Sequence, residues 1–119
     1  RIKNQSLPPN HLKDETKLFK DFSVLVEKYH KQFHSVTNYA ERLGVSPKSL
    51  AKHFQKIGTQ TPSDLIKEKL LLEAKRALRY TDTTVKEIAY ELGFNGPAYF
   101  SRFFTKAAQK TPLQFRKEQ

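Results

Sequence analysis

Cysteine is absent from this 119-residue chain, which excludes disulfides and thiolate metal sites and suits a reducing compartment such as the cytoplasm. No run of about 18 apolar residues occurs, so no segment is built to span a membrane. The opening Arg1-Ile2-Lys3-Asn4 lacks the apolar core of a secretion signal. Nothing alternates apolar and polar residues as a half-buried strand would. A Gly-rich phosphate loop, a Ser/His/Asp set and paired carboxylates at catalytic spacing are all missing, so neither an enzyme nor a cofactor is expected. His30 and His34 stand i, i+4 as two metal ligands do, but no acidic or third histidine partner accompanies them, and no metal site is expected. Acidic residues are in short supply: 12 against 22 Lys/Arg, for a net charge of +10. Residues 35–119 hold 15 of the basic and 8 of the acidic side chains, so the surplus is not confined to a tail. Such a surplus suits a polyanion, because each phosphate neutralised releases condensed counterions.

What the chain does have is helical periodicity. Residues 1–13 read as a polar linker or tail, and a chain opening on Arg1 rather than Met is expected to be a piece of something longer. Asp14 and Glu15 favour a helix N-terminus, and Leu18, Phe19, Phe22, Leu25, Val26, Tyr29 and Phe33 make one apolar stripe, predicting a helix over 14–33. A short helix follows from Ser35 to Leu43, with Val36, Tyr39, Ala40 and Leu43 inward, and Gly44 supplies a left-handed corner. Val45 plugs the turn, and Ser46-Pro47 starts a second helix with Leu50, Phe54 and Ile57 inward, ended by Gly58. Thr61-Pro62 opens a helix of about 18 residues without internal Gly or Pro, a strut about 27 Å long.

The chain then repeats itself. Val36, Ala40, Leu43, Gly44 and Val45 return 49 residues on as Val85, Ala89, Leu92, Gly93 and Phe94. Past the turn Asn95-Gly96-Pro97 is one residue longer than its counterpart, so Pro47, Leu50, Phe54 and Thr61-Pro62 return 50 residues on as Pro97, Phe100, Phe104 and Thr111-Pro112. Phe100, Phe103 or Phe104, and Ala107 are expected inward on this helix. Two helices crossing over a tight glycine corner make a helix-turn-helix, and here the unit appears twice. The predicted architecture is all-α and homeodomain-like, two helix-turn-helix subdomains (14–60 and 81–119) joined by a linker helix at 61–80.

From Val36 to Arg116 the chain resembles the DNA-binding domain of the AraC/XylS family of bacterial transcription regulators. The residues that carry this are Ile88-Ala89, Leu92-Gly93-Phe94, Pro97, Tyr99-Phe100-Ser101-Arg102, Phe104 and Thr111-Pro112, with the first-copy segment LGVSPKSLAKHF and Leu72, Ala74-Lys75 and Leu78 of the linker helix. Two departures are the replacement of the usual exit-turn Gly around Gln109-Lys110 and the lack of an aromatic in Lys106-Ala107-Ala108. The resemblance implies seven helices, two of them entering major grooves on one face of DNA. It also implies an operator or promoter duplex as partner, RNA polymerase as a further partner for an activator, and an effector or dimerisation domain before Arg1.

A recognition helix presents its N-terminal outward residues to base edges. On 47–57 the outward residues that suit bases are Lys48, Ala51, Lys52 and Gln55. Lys52 can donate to guanine, Gln55 can pair with adenine, and Ala51 can touch a thymine methyl. On 97–108 they are Ala98, Tyr99, Ser101 and Arg102, the last with a planar fork suited to guanine. Tyr99 fits either a base contact or the core. The resemblance places Lys48, Ala51, Lys52, Ala98, Tyr99, Ser101 and Arg102 at base-facing positions. Thr37, Lys56, Thr84, Lys86, Lys106 and Lys110, near helix ends, are candidates for phosphate contacts. An RNA-binding module usually shows aromatic platforms on a sheet, and no strand pattern is present to build one.

Overall fold

The structure is a computed structural model that describes residues 9–118 except Thr59, with side chains from Thr16 onward. Its helices are α1 (Pro9–Tyr29), α2 (Val36–Leu43), α3 (Pro47–Ile57), α4 (Pro62–Tyr80), α5 (Val85–Glu91), α6 (Pro97–Ala108) and α7 (Pro112–Lys117). There is no strand among the described residues. Hydroxyl side chains start five of them, Ser35, Ser46, Thr61, Thr84 and Thr111 each accepting from the backbone N–H three residues on. That bond satisfies one of the N–H groups a helix leaves orphaned, worth about 1 kcal/mol per cap. Asp64, Glu87 and Gln114 reach back to complete capping boxes at Thr61, Thr84 and Thr111.

The two halves share one core. Phe22 and Val26 of α1 join Tyr39, Ala40, Leu50 and Phe54, and the cluster continues through Ile66, Leu70, Ala74 and Leu78 of α4 to Ile88, Ala89, Leu92, Phe100, Phe104 and Phe115. α4 packs against all six other helices, its buried residues falling every four positions along one face. It is therefore the strut expected from its length. Lys69 staples it to α1, its Nζ lying 2.7 Å from Glu27 and 2.9 Å from Glu73, while Arg76 stands 3.1 Å from Glu73. The hydrogen bond from Lys69 holds the Glu73 carboxyl below its ordinary value against the opposing effect of burial.

Three expectations are corrected. α1 starts at Pro9, not Asp14, since Pro is pre-set for the first helical position; the rest of the expected tail, residues 1–8, lies outside the described residues. α1 also ends at Tyr29 rather than Phe33, because the buried His30 turns its Nδ1–H onto the carbonyls of Val26 (3.3 Å) and Glu27 (3.1 Å) and closes the last turn. On α6 it is Ala108, not Ala107, that packs on the core, because it follows the buried Phe104 by one helical turn while Ala107 is exposed. Phe104 is the buried aromatic of the pair left open, and Phe103 is half-buried, its ring 5.4 Å from that of Phe94.

Candidate nucleic-acid interface

The repeat seen in the sequence is also a repeat of hydrogen bonds. At the first corner Gly44 N–H donates to Glu41 O and Val45 N–H to Ala40 O, both at 3.1 Å. At the second, Gly93 N–H donates to Tyr90 O at 3.1 Å and Phe94 N–H to Ala89 O at 2.9 Å. These bonds close the end of the first helix in the same way at both corners, although the chain then takes one residue more to reach α6 than to reach α3. Each then buries two side chains, Leu50 and Phe54 on α3 and Phe100 and Phe104 on α6, which fixes the face turned to solvent.

On α3 that face carries exposed Lys48, Ala51, Lys52 and Gln55, which line a shallow depression of ≈ 560 Å³ with Gly58, Gln60, Thr61 and Pro62. On α6, Ala98, Ser101, Arg102, Thr105 and Lys106 line a second of ≈ 580 Å³. Neither helix contains an acidic residue. The acids near helix starts are spent elsewhere, Asp64 and Glu87 on capping boxes. Lys48, Lys52, Arg102 and Lys106 form no ion pair with another described residue. The choice left open for Tyr99 is resolved toward solvent: it is 57% exposed, and the Arg102 guanidinium lies 5.4 Å from its ring centroid. That stacking steadies the arginine without consuming its N–H donors.

A family model described as "Helix-turn-helix domain" matches residues 39–118. The chain belongs to the AraC-type helix-turn-helix family. This AraC-type domain is 30% identical over 103 residues to histidine kinase P4 of Formosa agariphila, covering 87% of the chain and 8% of that protein. It is 29% identical over 100 residues to regulatory protein SoxS of Escherichia coli, covering 84% of the chain and 94% of SoxS. Among solved structures it is similar to the DNA-binding domain of the global transcriptional factor AdpA in complex with a target DNA, with a TM-score of 0.71, 25% identity, and coverage of 84% of this chain and 89% of that one.

The candidates for phosphate contacts lie near helix ends. Thr37, Lys56, Lys86 and Lys106 are exposed. Thr84 and Lys110 are engaged within the fold: the Thr84 hydroxyl accepts from Glu87 N–H and donates to its carboxylate, both at 3.0 Å, and Lys110 Nζ stands 2.5 Å from Glu118. The histidines are engaged too. His30 closes α1, and His34 Nε2 donates to Leu92 O across 2.8 Å. Among the described residues no group of three or more His, Cys, Asp or Glu could hold a metal ion, and no helix is long and apolar enough to cross a membrane. Sequence reasoning missed the role of His34, since a partner 58 residues away leaves no local pattern.

Proposed function

We propose that the chain is the DNA-reading part of a bacterial transcription regulator and binds duplex DNA sequence-specifically, α3 and α6 entering successive major-groove segments. The observation that carries this is the pair of acid-free helices, each started by Pro and burying two side chains at the same spacing, each turning basic side chains outward. Lys48, Lys52 and Gln55 read bases through α3, with Ala51 against a thymine methyl; Ala98, Tyr99, Ser101 and Arg102 read them through α6, Arg102 taking a guanine bidentately. Thr37, Lys56, Lys86 and Lys106 hold phosphates, and Thr84 and Lys110 join them by exchanging their partners Glu87 and Glu118. The functional division is 14–60, 61–80 and 81–119, with α4 as the spacer. Its 19 residues span about 28 Å, against about 34 Å for one turn of duplex. The regulator works in the cytoplasm, carries its effector or dimerisation domain outside this segment, performs no catalysis, and as an activator would also meet RNA polymerase.

The test is binding to a duplex selected from a random library, measured across salt concentrations. With about six to ten phosphates neutralised, log K should fall against log salt with a slope of about −5 to −9. A slope near zero would sink the reading.

A further inference from the structure

The two glycine corners look alike and are packed differently. Around Gly44 an added Cβ would find nothing within 4 Å, whereas at Gly93 it would meet Lys31 O at 2.2 Å, Lys31 C at 2.9 Å and His34 Nε2 at 3.2 Å. The second corner is thus seated against the turn that joins α1 to α2. His34 seals the seat: its Nε2–H donates to Leu92 O at 2.8 Å and its ring lies 4.7 Å from that of Phe94. Phe94 in turn packs its ring 5.4 Å from Phe100, on the buried side of α6. On the other side of the seat, Phe33 is held by Tyr39, which donates its hydroxyl to Phe33 O at 2.8 Å and sets its ring 6.2 Å away. Tyr39 packs on Phe22 at 5.5 Å and Phe22 on Phe54 of α3 at 5.2 Å. Two sets of ring contacts, joined through the backbone at residues 33–34, therefore connect the buried face of one outward-facing basic helix to that of the other.

α4 alone is a single rod, about which the halves could twist or bend. A second tie beside that rod, between the turn after α1 and the corner after α5, restricts this freedom. We propose that His34, seated on Leu92-Gly93-Phe94, is a positioning residue that fixes the phase between α3 and α6 and so sets the half-site spacing the protein accepts. This rests on the DNA-binding reading for its consequence, though the geometry can be tested without DNA.

The absence of native cysteine makes double labelling simple. Spin labels at Gln55→Cys and Ala107→Cys, both exposed positions, report the distance between α3 and α6 in DNA-free protein. The parent should give one narrow distance, His34→Ala a broad distribution with unchanged helical circular dichroism, and His34→Gln, which keeps an N–H near the Nε2 position, most of the narrowing. On the selected duplex with one base pair inserted between half-sites, His34→Ala should recover about three- to tenfold of the affinity the parent loses, the equilibrium worth of one net hydrogen bond. A distribution as narrow in His34→Ala as in the parent overturns the proposal whether or not DNA binds. Loss of binding to every duplex by the parent would instead count against the DNA reading and leave the distance measurement to decide the seat.

Discussion

Alanine at Gly44 and, separately, at Gly93 places the same methyl in the same corner of two copies of one turn. Both glycines are left-handed, with φ of 72° and 90°, so either change costs about 1–2 kcal/mol for the backbone alone. At Gly44 the cost stops there, because the new Cβ has open space. At Gly93 it is driven into a backbone carbonyl at 2.2 Å. That carbonyl cannot swing aside cheaply, since the chain around it is held by Gln32 and Phe33 N–H bonds to Tyr29 O at 2.8 and 2.9 Å. Relief requires the halves to part, losing the His34–Leu92 bond, about 1 kcal/mol, and part of the burial of Phe94, about 1–2 kcal/mol. The expected losses are about 1.5 kcal/mol for Gly44→Ala and about 4 kcal/mol for Gly93→Ala. Urea unfolding followed by circular dichroism resolves them. At a slope of about 2 kcal/mol per molar, midpoints should fall by less than about 1 M and by about 2 M respectively. Equal shifts would refute the reasoning, for they would mean that the contact between Lys31 and Gly93 carries no weight.

Arg102→Ala should cost about 1–3 kcal/mol of binding and relax base preference at one half-site, read by binding to single-base variants of the selected duplex; an equal loss on every sequence would make Arg102 a phosphate contact. Gln109 is the one non-glycine among the described residues with positive φ, at 62°, and caps the end of α6 as Gly58 caps that of α3. Gln109→Gly should relieve about 1 kcal/mol of strain and lose only the exposed side-chain bond to Lys106 O at 2.9 Å, raising Tm by about 2–4 °C. A lowered Tm would show that bond outweighing the strain.

The starts of α2, α3, α4, α5 and α7 were legible because caps are local: a hydroxyl, often with Pro behind it, needs only the next three residues to form its bond. The corners were legible because left-handed backbone selects glycine whatever surrounds it. Where the signal was weak the structure moved the boundary: α1 runs from Pro9 to Tyr29 rather than over 14–33, whereas α6 ends at Ala108 as expected, although Ala108 and not Ala107 packs inward. Of the interface, the outward faces of both helices were readable from Leu50, Phe54, Phe100 and Phe104 pointing in, since 3.6-residue periodicity assigns the opposite face to solvent. That Lys110 is already partnered was not readable, because no spacing rule says that it will meet Glu118 eight residues on, whereas the Thr84–Glu87 pair has the spacing of a capping box.

Taken alone, the sequence determined two helix-turn-helix units, their caps, the strut between them and the basic faces they present, all consequences of forces acting over a few neighbouring residues. Only the tertiary structure decided how the units stand to one another. Gly44 and Gly93 are indistinguishable as letters, yet one borders open space and the other abuts Lys31, with His34 bonded across to Leu92. Contacts between residues some sixty positions apart depend on where the shared core brings the two turns, and that placement is a property of the packed whole.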